Sequence, residues 1–155
     1  MKYKKKKKIL KLIKYDPNYK HKLVNLFVNM ITKNGNKLLA YKIVYRILKL
    51  VKKKTKKNPL PFFKYALLKL VPNIIIKKLY RNGVLHTVPI EIEPYYGKKI
   101  AIRWLLNSSK KRYEKSIVLK FVNELIETIK GNSMSISFKK KVYKVIESNK
   151  IFSFL

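Results

Sequence analysis

Glu91 and Glu93 sit two residues apart. On a strand that spacing places both carboxylates on one face. Paired carboxylates can do general acid–base chemistry. Here they stand among lysines, and charge balancing is the preferred reading over catalysis. His21 and His86 are far apart and match no zinc spacing. His86 has neither a second histidine nor an obvious carboxylate partner, so a surface or stacking role suits it better. The chain has no cysteine, which removes disulfides and thiolate metal sites. It contains no nucleophile elbow, P-loop or dinucleotide-binding glycine pattern. Its 4 glycines are too few for a phosphate-cradling loop of the usual kind. The sequence therefore supports no enzyme, no cofactor and no metal.

The chemistry that remains belongs to lysine. Lys and Arg total 39 against 7 Asp and Glu, a net charge of +32. A globule with that charge repels itself, so a partner must supply negative charge. A phosphate backbone does this and releases counterions. Anionic membrane surfaces and DNA are the competing polyanions. The candidate phosphate ligands form six clusters. The first is an N-terminal arm with Lys4, Lys5, Lys6, Lys7, Lys8 and Lys11. The second pairs Lys33 with Lys37, and the third joins Lys77, Lys78 and Arg81. Then come Lys98 and Lys99 with Arg103, the run Lys110, Lys111 and Arg112, and the run Lys139, Lys140 and Lys141. The hydrophobic fraction of 47% is enough for a core, so the charge need not belong to a disordered tail.

These clusters need elements to hold them. Dense like charge over residues 1–15 predicts a flexible basic arm. Residues 16–155 are expected to form a single helical domain. Asp16-Pro17-Asn18 signals a turn, and Leu23, Leu26, Phe27, Met30 and Ile31 share one helical face. Gly35 is expected to end that helix. Ala40, Ile43, Val44, Ile47 and Val51 mark a second helix, which dissolves into the lysines at 52–57. Phe63, Ala66, Leu67, Leu70 and Val71 mark a third, started at Pro59 and stopped at Pro72.

Ile74-Ile75-Ile76, then Asn82-Gly83, then alternating Val88, Ile90 and Ile92 predict a β-hairpin over about 74–93. Three helical stripes follow. They are Ile100, Ala101, Trp104 and Leu105; then Val118, Phe121, Val122, Leu125, Ile126 and Ile129, capped by Gly131; then Phe138, Val142, Val145 and Ile146. Trp104 is expected to pack, with a wedge on a base as its alternative. The predicted fold is mainly α, a six-helix bundle-like domain with an inserted β-hairpin. Six stripes that satisfy one another leave no apolar face for a membrane. No apolar run is long enough to span one, so no membrane insertion is expected. The N-terminus does not read as a secretory signal.

Ordered motifs add a resemblance. Val88-Pro89-Ile90-Glu91-Ile92 followed by Ala101-Ile102-Arg103-Trp104-Leu105 resembles the small ribosomal subunit protein seven family. Lys115-Ser116, Asn123-Glu124-Leu125 and Glu147-Ser148-Asn149-Lys150 with Phe152 resemble its later elements. Asp16-Pro17, Phe27-Val28-Asn29 and Gly35-Asn36-Lys37 resemble its earlier ones. The likeness covers about residues 14–153. Asn82-Gly83 stands where the family has two glycines, and His86 where it has an aromatic residue. Asn36 stands in place of a lysine. The chain closes on Ser153-Phe154-Leu155 in place of a basic-aromatic tail.

The resemblance implies a structural constituent of the small ribosomal subunit head that binds the 3′ major domain of its rRNA. It implies a hairpin near the exit-site tRNA and the mRNA path. It implies the ribosomal protein nine and eleven families as head and platform neighbours, and no homo-oligomer. Lysine greatly outnumbers arginine, present only as Arg46, Arg81, Arg103 and Arg112. That bias suggests an AT-rich genome and an organellar ribosome. A mitochondrion is favoured, with a plastid or an AT-rich bacterium as alternatives.

Overall fold

The computed structural model describes residues 15–81 and 83–149, with the Arg81 side chain outside that description. Among the described residues the chain forms six helices and one two-stranded antiparallel hairpin. The expected mainly α fold is what the chain adopts. No helix among the described residues is long and apolar enough to cross a membrane.

Local chemistry sets the element boundaries. The Asp16 carboxylate accepts the Tyr19 N–H at 2.8 Å and the Tyr45 hydroxyl at 3.0 Å. Burial, then that bond, pushes the Tyr45 phenol up to about 12. α1 (Lys22–Ile31) is capped by His21, whose Nδ1 accepts the Leu23 N–H at 3.2 Å. It ends at Thr32, so Gly35 does not end it. Gly35 instead shapes the next turn, with Asn34 and Gly35 both left-handed at φ 50° and 73°. Asn36 then caps α2 (Lys37–Thr55) through the Leu39 N–H.

α2 does not dissolve at Lys52. It runs to Thr55 and stops at a left-handed Lys56. Lys52, Lys53 and Lys54 occupy its last turn, where the helix dipole favours cations. α3 (Pro59–Leu70) begins at Pro59 and ends before Pro72. The hairpin pairs β1 (Ile74–Arg81) with β2 (Val84–Glu91), with Lys77 opposite Val88 and Lys78 opposite Thr87. It stops two residues short of 93. Glu91 ends the strand and Glu93 is the N-cap of α4 (Pro94–Lys110), so the two carboxylates are not strand neighbours. α5 (Ile117–Lys130) ends at a left-handed Gly131, φ 98°. α6 (Met134–Ser148) is capped by Ser133.

The core gathers on α5, which packs against α2, α3, α4 and α6. Phe27 of α1 sits 5.0 Å from the Phe63 ring and 4.7 Å from the Phe121 ring, centroid to centroid. Those three buried rings join α1, α3 and α5. The buried faces are rotated from some predicted stripes. α1 buries Val24 and Val28 more fully than Leu23 or Met30. α4 buries Ala101, Ile102 and Leu105 but leaves Ile100 and Trp104 half-buried. On α6 only Ser135 and Ile146 are buried, and Val145 is exposed.

The root of the hairpin is clamped. The Ile92 N–H reaches the Asn73 carbonyl at 3.0 Å, and the Asn73 N–H reaches the Tyr143 hydroxyl at 3.3 Å. Gly97 is buried in α4 against the connection that leads into β1. A methyl group there would lie 2.9 Å from the Pro72 carbonyl oxygen and 3.0 Å from Val71 Cγ1. Gly97→Ala gains up to about 1 kcal/mol of helix propensity. It forces backbone apart at a cost of about 1–3 kcal/mol. The expected outcome is a net loss of stability in urea unfolding, and a stabilised variant would show that α4 does not press on this connection.

Candidate nucleic-acid interface

Arg112 follows α4 and gathers three carboxylates. Its Nε donates to Glu124 at 2.7 Å, its Nη1 to Glu114 at 3.4 Å, and its Nη2 to Glu127. Glu124 is fully buried on α5. Its other oxygen accepts the Ser135 N–H at 3.0 Å and the Ser135 hydroxyl at 2.5 Å. Ser135 lies in the first turn of α6, so this carboxylate also meets the positive end of that helix. Burial opposes the Arg112 charge, but bonding to Glu127 and Glu124 outweighs it and raises its pKa. Glu114 is held below its ordinary value by Asn123 first and by Arg112 as well. Sequence reasoning assigned Arg112 to phosphate. The structure instead occupies its guanidinium inside the protein, joining α4, α5 and α6.

Lys139 is also engaged within the fold. Its Nζ donates to the Lys69 carbonyl at 2.8 Å and the Val71 carbonyl at 3.2 Å. It thereby satisfies the end of α3 just ahead of the hairpin. Burial pushes its pKa down. Lys69 does the same for α5, donating to the Ile129 carbonyl at 2.5 Å.

The other predicted ligands face outward to varying degrees. Lys33, Lys37, Lys77, Lys78, Arg103, Lys110, Lys111, Lys140 and Lys141 are exposed, while Lys98 and Lys99 are half-buried. Lys77 and Lys78 alternate across the two faces of the hairpin, whose exposed apolar residues Tyr80, Val84 and Leu85 lie near the tip. Lys99 lies 4.7 Å from the Tyr95 ring, at the start of α4. Lys111 lies 5.1 Å from the Phe138 ring, which draws the end of α4 to α6. Lys4, Lys5, Lys6, Lys7, Lys8 and Lys11 lie outside the described residues.

Sequence reasoning passed over a further cluster. Lys52, Lys53, Lys54, Lys56 and Lys57 are all exposed where α2 meets α3. The run is plain in the sequence, where it predicts only the dissolving end of the second helix. Because the helix persists to Thr55, the backbone under Lys52, Lys53 and Lys54 is helical, and Lys54 Nζ donates to the Asn123 side chain of α5 at 2.8 Å.

The electrostatics suit an external polyanion. No helix carries an acidic residue in its first turn, and α1 and α2 begin on Lys22 and Lys37. Lysine ammonium groups serve phosphate as point charges that position without reading sequence. Specificity on folded RNA then comes from shape, because the A-form major groove admits side chains poorly.

A family model described as Ribosomal protein S7p/S5e matches residues 2–150 of the chain.

Arg112 separates a strut from a phosphate ligand. Arg112→Ala leaves Glu124 buried without its cation, at a cost of about 3–5 kcal/mol. Chemical unfolding should show that loss, while the salt dependence of RNA affinity stays as in the parent. A flattened salt slope at unchanged stability would return Arg112 to the interface.

Proposed function

The chain belongs to the Ribosomal protein S7p/S5e family, and from that membership we propose a specific place for it in the small ribosomal subunit. The family makes it a small-subunit rRNA-binding structural protein that sits among other ribosomal proteins. We propose that it binds the 3′ major domain of that rRNA and supports assembly of the head. Residues 16–155 act as one RNA-binding unit, and Lys4 to Lys8 with Lys11 add phosphate contacts. The hairpin lies near the exit-site tRNA and the mRNA path. Neighbours come from the ribosomal protein nine and eleven families.

The observation that carries this reading is the hairpin. It is a two-stranded ribbon with Lys77 and Lys78 exposed and its root locked to α4 and α6. A rigid root lets an arm hold charge away from the body without losing its aim. The exposed clusters at Lys33 and Lys37, at Lys110 and Lys111, and at Lys140 and Lys141 then share the remaining backbone contacts. The excess of lysine over arginine supports an organellar ribosome, in a mitochondrion ahead of a plastid or an AT-rich bacterium.

Replacing Lys77, Lys78 and Arg81 together by Ala tests the hairpin. Affinity for a 3′ major domain transcript should fall, and the salt slope should flatten by about one for each phosphate contact removed. An unchanged slope would show that these side chains do not touch phosphate.

A further inference from the structure

A groove of about 340 Å³ opens between the start of α3 and the end of α5. Pro61, Phe62 and Tyr65 line it from α3, and Ile129 lines it from α5. Lys57 and Asn58 join the lining from the connection between α2 and α3. The surface it presents is mostly apolar.

Two features separate it from an incidental crease. The first is that Tyr65, though half in solvent, is backed by a fixed group. Lys69 Nζ lies 5.1 Å from its ring centroid and is itself bonded to the Ile129 carbonyl. The ring is therefore supported in place before any ligand arrives, which lowers the ordering cost of binding. The second is the charge beside it. Lys57 lines the groove itself, and the exposed Lys52, Lys53, Lys54 and Lys56 precede it in the chain at the end of α2. An apolar slot with aromatic walls next to dense cations fits one ligand chemistry closely, a flat ring joined to a phosphate.

We infer that this groove receives an unpaired nucleobase of the bound RNA, stacked on Tyr65 and Phe62 with its phosphate at Lys57. The inference rests on the rRNA-binding reading above. The base is unpaired because the bases of a helix stay stacked inside it and cannot enter a slot. It is read with little sequence preference, since stacking is tolerant of base identity. An aromatic side chain from an acidic protein would fill the same space, but the lysine run favours a phosphate-bearing strand.

The test uses the full chain with a 3′ major domain transcript, and measures affinity across a salt series. Tyr65→Ala should weaken binding by about fivefold or more at every salt concentration without changing the slope. Tyr65→Phe should bind as the parent does. Lys57→Ala should lower the slope by about one. Ultraviolet crosslinking of the assembled subunit should leave a nucleotide adduct on the peptide holding Phe62 and Tyr65. Parental binding by Tyr65→Ala overturns the inference. So does an unchanged slope in Lys57→Ala, or a crosslink from this peptide to another protein. If the parent chain itself does not bind the transcript, the rRNA reading falls first and the groove with it. If the parent binds and Tyr65→Ala matches it, only the groove is lost.

Discussion

A net charge of +32 on 155 residues is the constraint under which every other feature of this molecule operates. Like charges on a compact body repel, and the repulsion grows as the chain folds. The fold buries two of its seven acidic residues, Asp16 and Glu124, where the low dielectric makes each interaction worth more. Glu124 is fully buried at the junction of three helices, with Glu114 and Glu127 joining it around Arg112. Asp16 ties the entry of the domain to Tyr45 of α2. The surface is left to lysine, partly eased by aromatic faces. Lys22, Lys37, Lys69, Lys99, Lys111 and Lys139 each lie within 5.7 Å of a Tyr or Phe ring centroid.

The same arrangement links stability to function. Cations that finish helices, such as Lys139 on α3 and Lys69 on α5, work for the fold. Lys77 and Lys78 on the hairpin and Lys33 in the turn before α2 are exposed, while at the end of α2 Lys54 donates to the Asn123 side chain of α5 at 2.8 Å. The exposed cations without such a bond face outward, where phosphate can reach them. The hairpin projects usefully only because its root is fixed by Gly97 against Pro72 and by Tyr143 against Asn73. Packing inside the body therefore determines where charge is delivered outside it.

Much of this was legible in the residues. Six apolar stripes, Asn-Gly at a turn and prolines at 59 and 72 place the six helices and the hairpin nearly where they lie. What escaped was decided by tertiary contacts. Val24 and Val28 win burial over Leu23 and Met30 because Phe27 meets two rings across the core. Trp104 stays half-buried because Ala101, Ile102 and Leu105 form the tighter face of α4. Glu93 lies beyond the strand, at the N-cap position of α4. Charge alone could not sort the clusters. Arg112 and Lys111 are adjacent, yet one is bound to carboxylates and the other is exposed. Such a distinction depends on Glu124 and Glu127, which approach only when α5 docks.

On the proposed function, this outward charge meets the phosphates of one region of small-subunit rRNA. The most direct measurement is to purify the tagged chain with its bound RNA, trim that RNA with nuclease and sequence the protected fragments. Fragments concentrated in the 3′ major domain are the expected result. Fragments spread evenly over the rRNA, or equal recovery of unrelated RNA, would contradict it.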